Sequence, residues 1–202
     1  MHSNSTKTLR QELLKQRKEF ATGRSFAQIN EHLIHGVHEF LRNEAKLIRS
    51  IALYWPIQDE PDIRSPLLNW ACDDEGRRLA LPYACPDKHL EFYEWHDGDS
   101  LIPSKHGVPE PIPSNQSRPI INPDCIFIPC VGWSRSFVDG KSLYWRLGYG
   151  GGFYDRTLAT LQPKPFTVGL GFGMGFVPDF EPEAHDVPLD AILNENGIVW
   201  PI

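Results

Sequence analysis

The sequence predicts an α/β fold with a mostly parallel central sheet. Three observations carry that expectation. Short apolar runs of the buried-strand kind recur along the chain: Ser50 to Trp55, Arg78 to Tyr83, Asp124 to Pro129 and Phe166 to Leu170. Helical periodicity alternates with them, and strands alternating with helices favour a parallel sheet covered on both faces. One glycine-rich string, Arg146-Leu147-Gly148-Tyr149-Gly150-Gly151-Gly152-Phe153-Tyr154-Asp155, precedes a helix. A glycine-rich turn before a helix N-terminus is a common way for such a fold to bind an anion.

Taken in order, residues 6 to 22 have helical spacing, with Leu9, Leu13, Leu14 and Phe20 on one side. Lys7, Arg10, Lys15, Arg17 and Lys18 lie on the other, a pattern that usually marks a solvated basic face. Gly23 breaks this helix, and Ser25 with Gln28 resembles a capping box for the next. That second helix runs to about residue 43 and buries Phe26, Ile29, Leu33, Val37, Phe40 and Leu41. His32, His35 and His38 lie on it without a metal-binding constellation of carboxylates or cysteines, so surface or boundary positions are expected.

After the strand ending at Trp55, Gln58-Asp59-Glu60-Pro61-Asp62 forms a polar turn. Its acids stand either at a strand's C-terminal end, where α/β sheets hold ligands, or at the N-terminus of an Asp62 to Cys72 helix. Gly76 closes that helix. Leu90 to Trp95 alternates as a strand, and Gly98 to Pro123 is a proline-rich ordered loop or excursion. Cys130 to Trp145 is a connection to the glycine string. The helix that follows covers 153 to 161. Gly171, Gly173 and Gly175 mark a loop; His185-Asp186 then precedes the apolar run Val187 to Leu193, and Ile198-Val199-Trp200 comes last. No repeat or low-complexity linker divides the chain, so residues 1–202 are expected to form a single domain.

Composition narrows the function. A net charge of −6 argues against a nucleic-acid partner that needs a dominant basic face. The four cysteines, Cys72, Cys85, Cys125 and Cys130, form no CxxC pair, which points to free thiols in a reducing compartment. The N-terminus is polar and no apolar run approaches ~18 residues, so a cytoplasmic protein without a membrane partner is expected. The glycine string is neither a Walker A loop nor a dinucleotide fingerprint, because the terminal Gly-Lys-Ser/Thr and the third spaced glycine are missing. A phosphate cradle and a tight turn both remain open at this point.

The string Arg146 to Asp155 resembles the signature of the 5-formyltetrahydrofolate cyclo-ligase family. Lys7-x-Leu9-Arg10, Gln58-Asp59-Glu60, Leu79 to Pro82, Leu90-Glu91-Phe92, Val108-Pro109-Glu110-Pro111, Asp124 to Pro129 and His185 to Asp190 follow in that family's order. The resemblance implies a three-layer α/β/α sandwich, which agrees with the α/β reading of the elements. It also implies an ATP- and Mg-dependent closure of 5-formyltetrahydrofolate to 5,10-methenyltetrahydrofolate, in a monomer. ATP would be held by Lys7, Arg10, Arg146, Gly148, Tyr149, Gly150, Gly151, Gly152, Phe153, Tyr154 and Asp155, with Arg146 and Tyr154 as the catalytic pair. Mg would be held by Asp155 and Asp186. The folate would be held by Glu60 and by Trp55, Tyr83, Leu90, Trp133, Phe153 and Tyr154; for Tyr83 ordinary core packing is the stronger expectation.

Three positions depart from the family's pattern. Thr6 stands where a lysine is usual, with Lys7 beside it. Ser134 stands where an aspartate is usual, with Asp139 as a possible substitute. Phe153 stands where a tyrosine is frequent. The Phe153 change removes one hydroxyl and is mild; the departures at Thr6 and Ser134 motivate a second expectation, a non-catalytic folate- or nucleotide-binding relative. A sugar-phosphate or CoA-handling enzyme is supported by fold analogy alone.

Overall fold

The computed structural model describes residues 2–105, 107–113 and 118–200, with side chains from Thr6 onward. Two helices open the chain, α1 (His2–Ala21) and α2 (Phe26–Asn43), followed by β1 (Ser50–Ala52), α3 (Arg64–Cys72), β2 (Arg78–Ala84) and β3 (Leu90–Glu94). The proline-rich excursion contains a small ribbon, β4 (Leu101–Pro103) with β5 (Pro109–Pro111). Its residues 106 and 114–117 lie outside the described residues. Next come β6 (Cys125–Pro129), β7 (Gly132–Val138), β8 (Lys141–Leu147), α4 (Phe153–Thr160), β9 (Phe166–Leu170), β10 (Ala191–Asn194) and β11 (Gly197–Val199).

Seven strands form the central sheet in the order β11-β10-β9-β6-β1-β2-β3. The five inner strands are parallel, and the two edge strands, β11 and β3, run antiparallel to their neighbours. The residue alternation of these strands divides the core into two clusters. Ile51, Leu79, Leu81, Cys125, Phe127, Val168 and Leu193 face Leu33, Val37 and Phe40 of α2 and Leu67 and Trp70 of α3. Ala52, Ala80, Ile126, Ile128 and Ile192 face Leu158 of α4 together with Trp133 and Tyr144. This is the expected three-layer arrangement. A strand alternates its side chains between faces, so one apolar run can bury both faces only if each is covered.

The outer layer beside α4 is partly sheet. The stretch expected as a connection, Cys130 to Trp145, is a two-stranded hairpin, β7 paired antiparallel with β8 from Gly132–Leu147 to Val138–Lys141. Its tip is Asp139-Gly140, both at positive φ (50° and 76°). Asp-Gly in that conformation matches the right-handed twist of the flanking strands. Other departures are small. Ser25 takes a helical backbone and makes no side-chain cap. Beyond Ala52, Leu53 still donates its N–H to Ala80, and the chain then leaves the ladder toward Trp55. Val187 to Asp190 stays outside the sheet, with Leu189 bonded to Tyr144 of the hairpin.

The order of strands reverses between β1 and β6, since β2 follows β1 to one side and β9 follows β6 to the other. The crevice beyond the C-terminal ends of two such strands is the usual ligand position in an open α/β sheet. Among the described residues, no helix is long and apolar enough to cross a membrane. The four cysteines are free thiols, three of them buried.

Candidate active site

A cavity of about 770 Å³ opens at that crevice. Its walls come from the segment after β1 (Tyr54, Trp55, Glu60), the ends of β2 and β6, the β4–β5 ribbon, α1, and the glycine string with the start of α4. Of the residues singled out from the sequence, Lys7, Arg10, Trp55, Glu60, Leu90, Arg146, Gly148 to Asp155 and Asp186 all line it. Tyr83 and Trp133 do not. Tyr83 packs edge-on against Tyr93. Trp133 is buried in the hairpin layer, donates its indole N–H to the Phe172 carbonyl and packs on Phe176. For Trp133 this corrects the expectation of a folate contact. Its strand turns it into the core against α4, not into the crevice.

The glycine string forms a tight cradle. Gly152 sits at φ +66° and caps α4, which a side chain would strain. A Cβ on Gly148 would lie 2.0 Å from Arg146 Nη1, so only glycine leaves the guanidinium its place. Arg146 comes from β8 and reaches Asp155 in the first turn of α4, Nη2 to Oδ2 at 3.0 Å, with both side chains about nine-tenths buried. Its guanidinium also stacks toward the Tyr154 ring. Burial, only partly offset by Arg146, holds the Tyr154 phenol above its ordinary range, so it stays protonated and can donate. Asp186 sits nearby with its carboxyl held up by burial first and by the Asp155 charge as a lesser cause.

Helix α1 lies against the cradle. Leu13 packs with Val131 and Leu147, and Arg10 donates from Nε to the Gly148 carbonyl at 2.6 Å. Burial and the neighbouring Arg146 hold the Arg10 pKa below its ordinary value. The neighbouring positions Thr6 and Lys7 both line the cavity, so the shift of the lysine by one position still leaves a cation there. Ser134 is buried, its hydroxyl directed to the Phe180 carbonyl, and is not part of the wall. Asp139 sits at the hairpin tip, where it serves the turn and not the crevice.

Glu60 is placed by an unusual turn. Gln58 and Asp59 both take positive φ (48° and 61°), and Glu60 bonds its N–H back to the Ile57 carbonyl. The Glu60 carboxyl is thereby buried, with Oε2 accepting the Ile57 N–H at 2.9 Å and Oε1 accepting the Tyr149 hydroxyl at 2.8 Å. Burial is the foremost cause raising its pKa, and the two hydrogen bonds and Arg17 oppose it. Helix capping is thus not its role; Asp62 accepts the Arg64 N–H instead.

Two cavity or near-cavity groups were not singled out from the sequence. Glu110 of β5 lines the cavity as a buried carboxyl, its pKa raised by burial. Arg17, assigned to a solvated face, is only 4% exposed. Helical spacing aligns Arg17 with Lys7 and Arg10 along one side of α1, but that pattern alone does not separate a buried cation from a solvated one.

The pattern of the 5-formyltetrahydrofolate cyclo-ligase family matches residues 2–195. A 5-formyltetrahydrofolate cyclo-ligase of Haemophilus influenzae is 30% identical over 152 residues, covering 74% of this chain and 78% of its own. The cyclo-ligase of Escherichia coli K12 is 29% identical over 160 residues, covering 76% and 81%. Among solved structures, the 5,10-methenyltetrahydrofolate synthetase of Aquifex aeolicus shares the fold with a TM-score of 0.74 at 24% identity, covering 96% of this chain and 92% of its own. That of Mycoplasma pneumoniae does so with 0.71 at 23% identity, covering 94% and 98%. With the family's pattern matched over almost all of its length, and with the Haemophilus influenzae relative 30% identical, the chain belongs to the 5-formyltetrahydrofolate cyclo-ligase family.

Proposed function

We propose that this chain converts 5-formyltetrahydrofolate and ATP to 5,10-methenyltetrahydrofolate, ADP and phosphate, with Mg²⁺. One observation carries the reading: a single cavity is lined both by a glycine cradle with Arg10 and Arg146, suited to phosphates, and by Trp55, Leu90, Phe153 and Tyr154 around the buried Glu60, suited to a planar pterin.

The chemistry needs little covalent work from the protein. The formyl group on N5 is an amide whose oxygen leaves poorly. Transfer of the γ-phosphoryl group of ATP to that oxygen makes it part of a good leaving group. N10 of the same molecule then attacks the activated carbon, and phosphate carries the former formyl oxygen away. Such phosphoryl transfer depends on positioning and charge neutralisation. Arg146 is pre-positioned by Asp155 and by the absence of a Cβ on Gly148, and Lys7 and Arg10 supply further cations from α1. The protonated Tyr154 hydroxyl can donate to oxygen as negative charge develops. Glu60 accepts hydrogen bonds from the N–H groups of the pterin.

The residues present also fit a magnesium ion. Asp155 and Asp186 line the cavity on the side of the cradle as hard oxygen donors; Asp155 also pairs with Arg146, and Asp186 also accepts the Glu183 N–H, each with lone pairs to spare. They would hold Mg²⁺, which when bound neutralises phosphate charge.

The test is a single incubation of the protein with Mg²⁺, ATP and 5-formyltetrahydrofolate. The expected result is methenyltetrahydrofolate absorbance that grows in step with ADP. Tight binding of both ligands without ADP would instead establish a non-catalytic relative. Neither departure favours that outcome on structural grounds, since Lys7 lines the cavity and Ser134 stands off it.

A further inference from the structure

We propose that Arg17 is a positioning residue for the reduced pterin, acting through the Tyr149 hydroxyl to keep Glu60 an oriented, acceptor-only carboxylate. The inference rests on the reading that the pterin binds at Glu60.

The polarity of the chain of hydrogen bonds is fixed by its first member. A guanidinium has five donors and no acceptor. Arg17 Nη2 lies 2.5 Å from the Tyr149 hydroxyl, so that oxygen must accept, and its own proton is left to point elsewhere. The elsewhere is Glu60 Oε1, at 2.8 Å. Glu60 Oε2 is fixed from the other side by the Ile57 N–H at 2.9 Å. Both carboxylate oxygens are thus held, and each keeps a lone pair for a ligand. A protonated Glu60 would offer a donor where the pterin also offers donors, and recognition would fail.

Burial makes the arrangement necessary. Glu60 is 7% exposed and would take up a proton more readily than an exposed carboxyl. The groups facing it are Arg17 from α1, Tyr149 and Tyr154 from the glycine string and α4, Tyr54 from the segment after β1, and Cys130 after β6. Arg17 is the only cation among them. Arg17 itself is more deeply buried, with Nη1 directed to the Cys130 carbonyl at 3.4 Å and Nε without a partner among the described residues. A guanidinium is costly to bury with an unmet donor unless a counter-charge is close. Here the counter-charge is reached through one phenol.

The experiment measures 5-formyltetrahydrofolate affinity by calorimetry between about pH 5 and 8, and steady-state constants for both substrates, in wild type, Tyr149→Phe, Arg17→Met and Arg17→Lys. Melting temperature is recorded for each. The relay predicts that Tyr149→Phe and Arg17→Met weaken folate binding ~10- to 100-fold, the scale of a lost hydrogen bond to a charged group. In Arg17→Met the KM for ATP should stay within about twofold, since Arg17 is not among the cradle residues that line the cavity. Wild-type folate affinity should fall as the pH drops through the raised range of Glu60, and in Arg17→Met that loss should move to higher pH. Arg17→Lys should recover part of the affinity. Wild-type affinity and pH profile in Tyr149→Phe and Arg17→Met would overturn the proposal. So would equal losses for folate and ATP with a lowered melting temperature, because Arg17 would then only clamp α1. A wild type that binds no 5-formyltetrahydrofolate overturns the reading beneath the proposal, a distinct result from either.

Discussion

Arg146 Nη2 and Asp155 Oδ2 are paired at 3.0 Å across the glycine turn, joining the end of β8 to the first turn of α4. The pair holds the phosphate-suited cation and the metal-suited carboxylate in fixed relation, with the cradle between them. Removing either partner leaves a buried charge uncompensated, which commonly costs about 3–5 kcal/mol. Arg146→Ala is therefore expected to lower kcat at least ~10²-fold, as loss of a group that stabilises transition-state charge does. It should also lower the melting temperature. Steady-state kinetics with thermal unfolding checks both, and Asp155→Asn should share the stability loss.

A second prediction isolates the glycine at 148. A Cβ there would displace Arg146, yet it lies in a wall of the cavity and away from the core clusters. Gly148→Ala should cut kcat about 10²-fold, the cost of misplacing a positioned group by about an ångström, and should lower the melting temperature as Arg146→Ala does, by disturbing the buried Arg146–Asp155 pair, while circular dichroism stays near wild type. Unchanged kinetics would show that Arg146 has a second workable position.

Much of this was legible in the chain. The strand runs, the α2 stripe and the glycine turn before α4 carry strong local signals, since periodicity and glycine conformation are local properties. Burial of Leu33, Val37, Phe40 and Leu41 follows directly from their spacing. The β7–β8 hairpin was less visible, although Asp139-Gly140 is a strong hairpin turn, because its strands mix Ser, Arg and Lys with aromatics. Site residues adjacent in sequence to the glycine string were recoverable for the same reason. Arg17 and Trp133 were not. A basic residue on an amphipathic helix is normally solvated, and only the docking of α1 across the cradle buries Arg17. A tryptophan after a central strand fits a pocket or a core equally well until the hairpin's register assigns its face.

That assignment gives a third prediction. Trp133→Ala should cost about 3–5 kcal/mol of stability, as expected for emptying a large buried side chain, with folate KM in the surviving folded protein close to wild type. Denaturant unfolding and kinetics at low temperature separate the two effects. A large rise in folate KM at unchanged stability would return Trp133 to the pocket.

Glu60 supplies a pH-dependent prediction with a definite sign. Its folded pKa is raised, chiefly by burial, above the unfolded value. Its contribution to stability is therefore full below the unfolded pKa and is lost as pH rises through the folded one. Glu60→Gln removes that loss. Relative to wild type, the variant should gain stability as pH rises above the ordinary carboxylate range of ~4.3, while its folate affinity falls. Chemical unfolding of both proteins at several pH values, with folate titration, tests the pair of effects. A stability difference that does not change with pH would contradict it.

The central claim is that phosphate leaves with the oxygen of the formyl group. The measurement is turnover of 5-formyltetrahydrofolate labelled with ¹⁸O in the formyl position, in the presence of Mg²⁺ and ATP, followed by mass analysis of the phosphate released. The account predicts one labelled oxygen in each phosphate formed with methenyltetrahydrofolate. Unlabelled phosphate, with the label found in water, would contradict it.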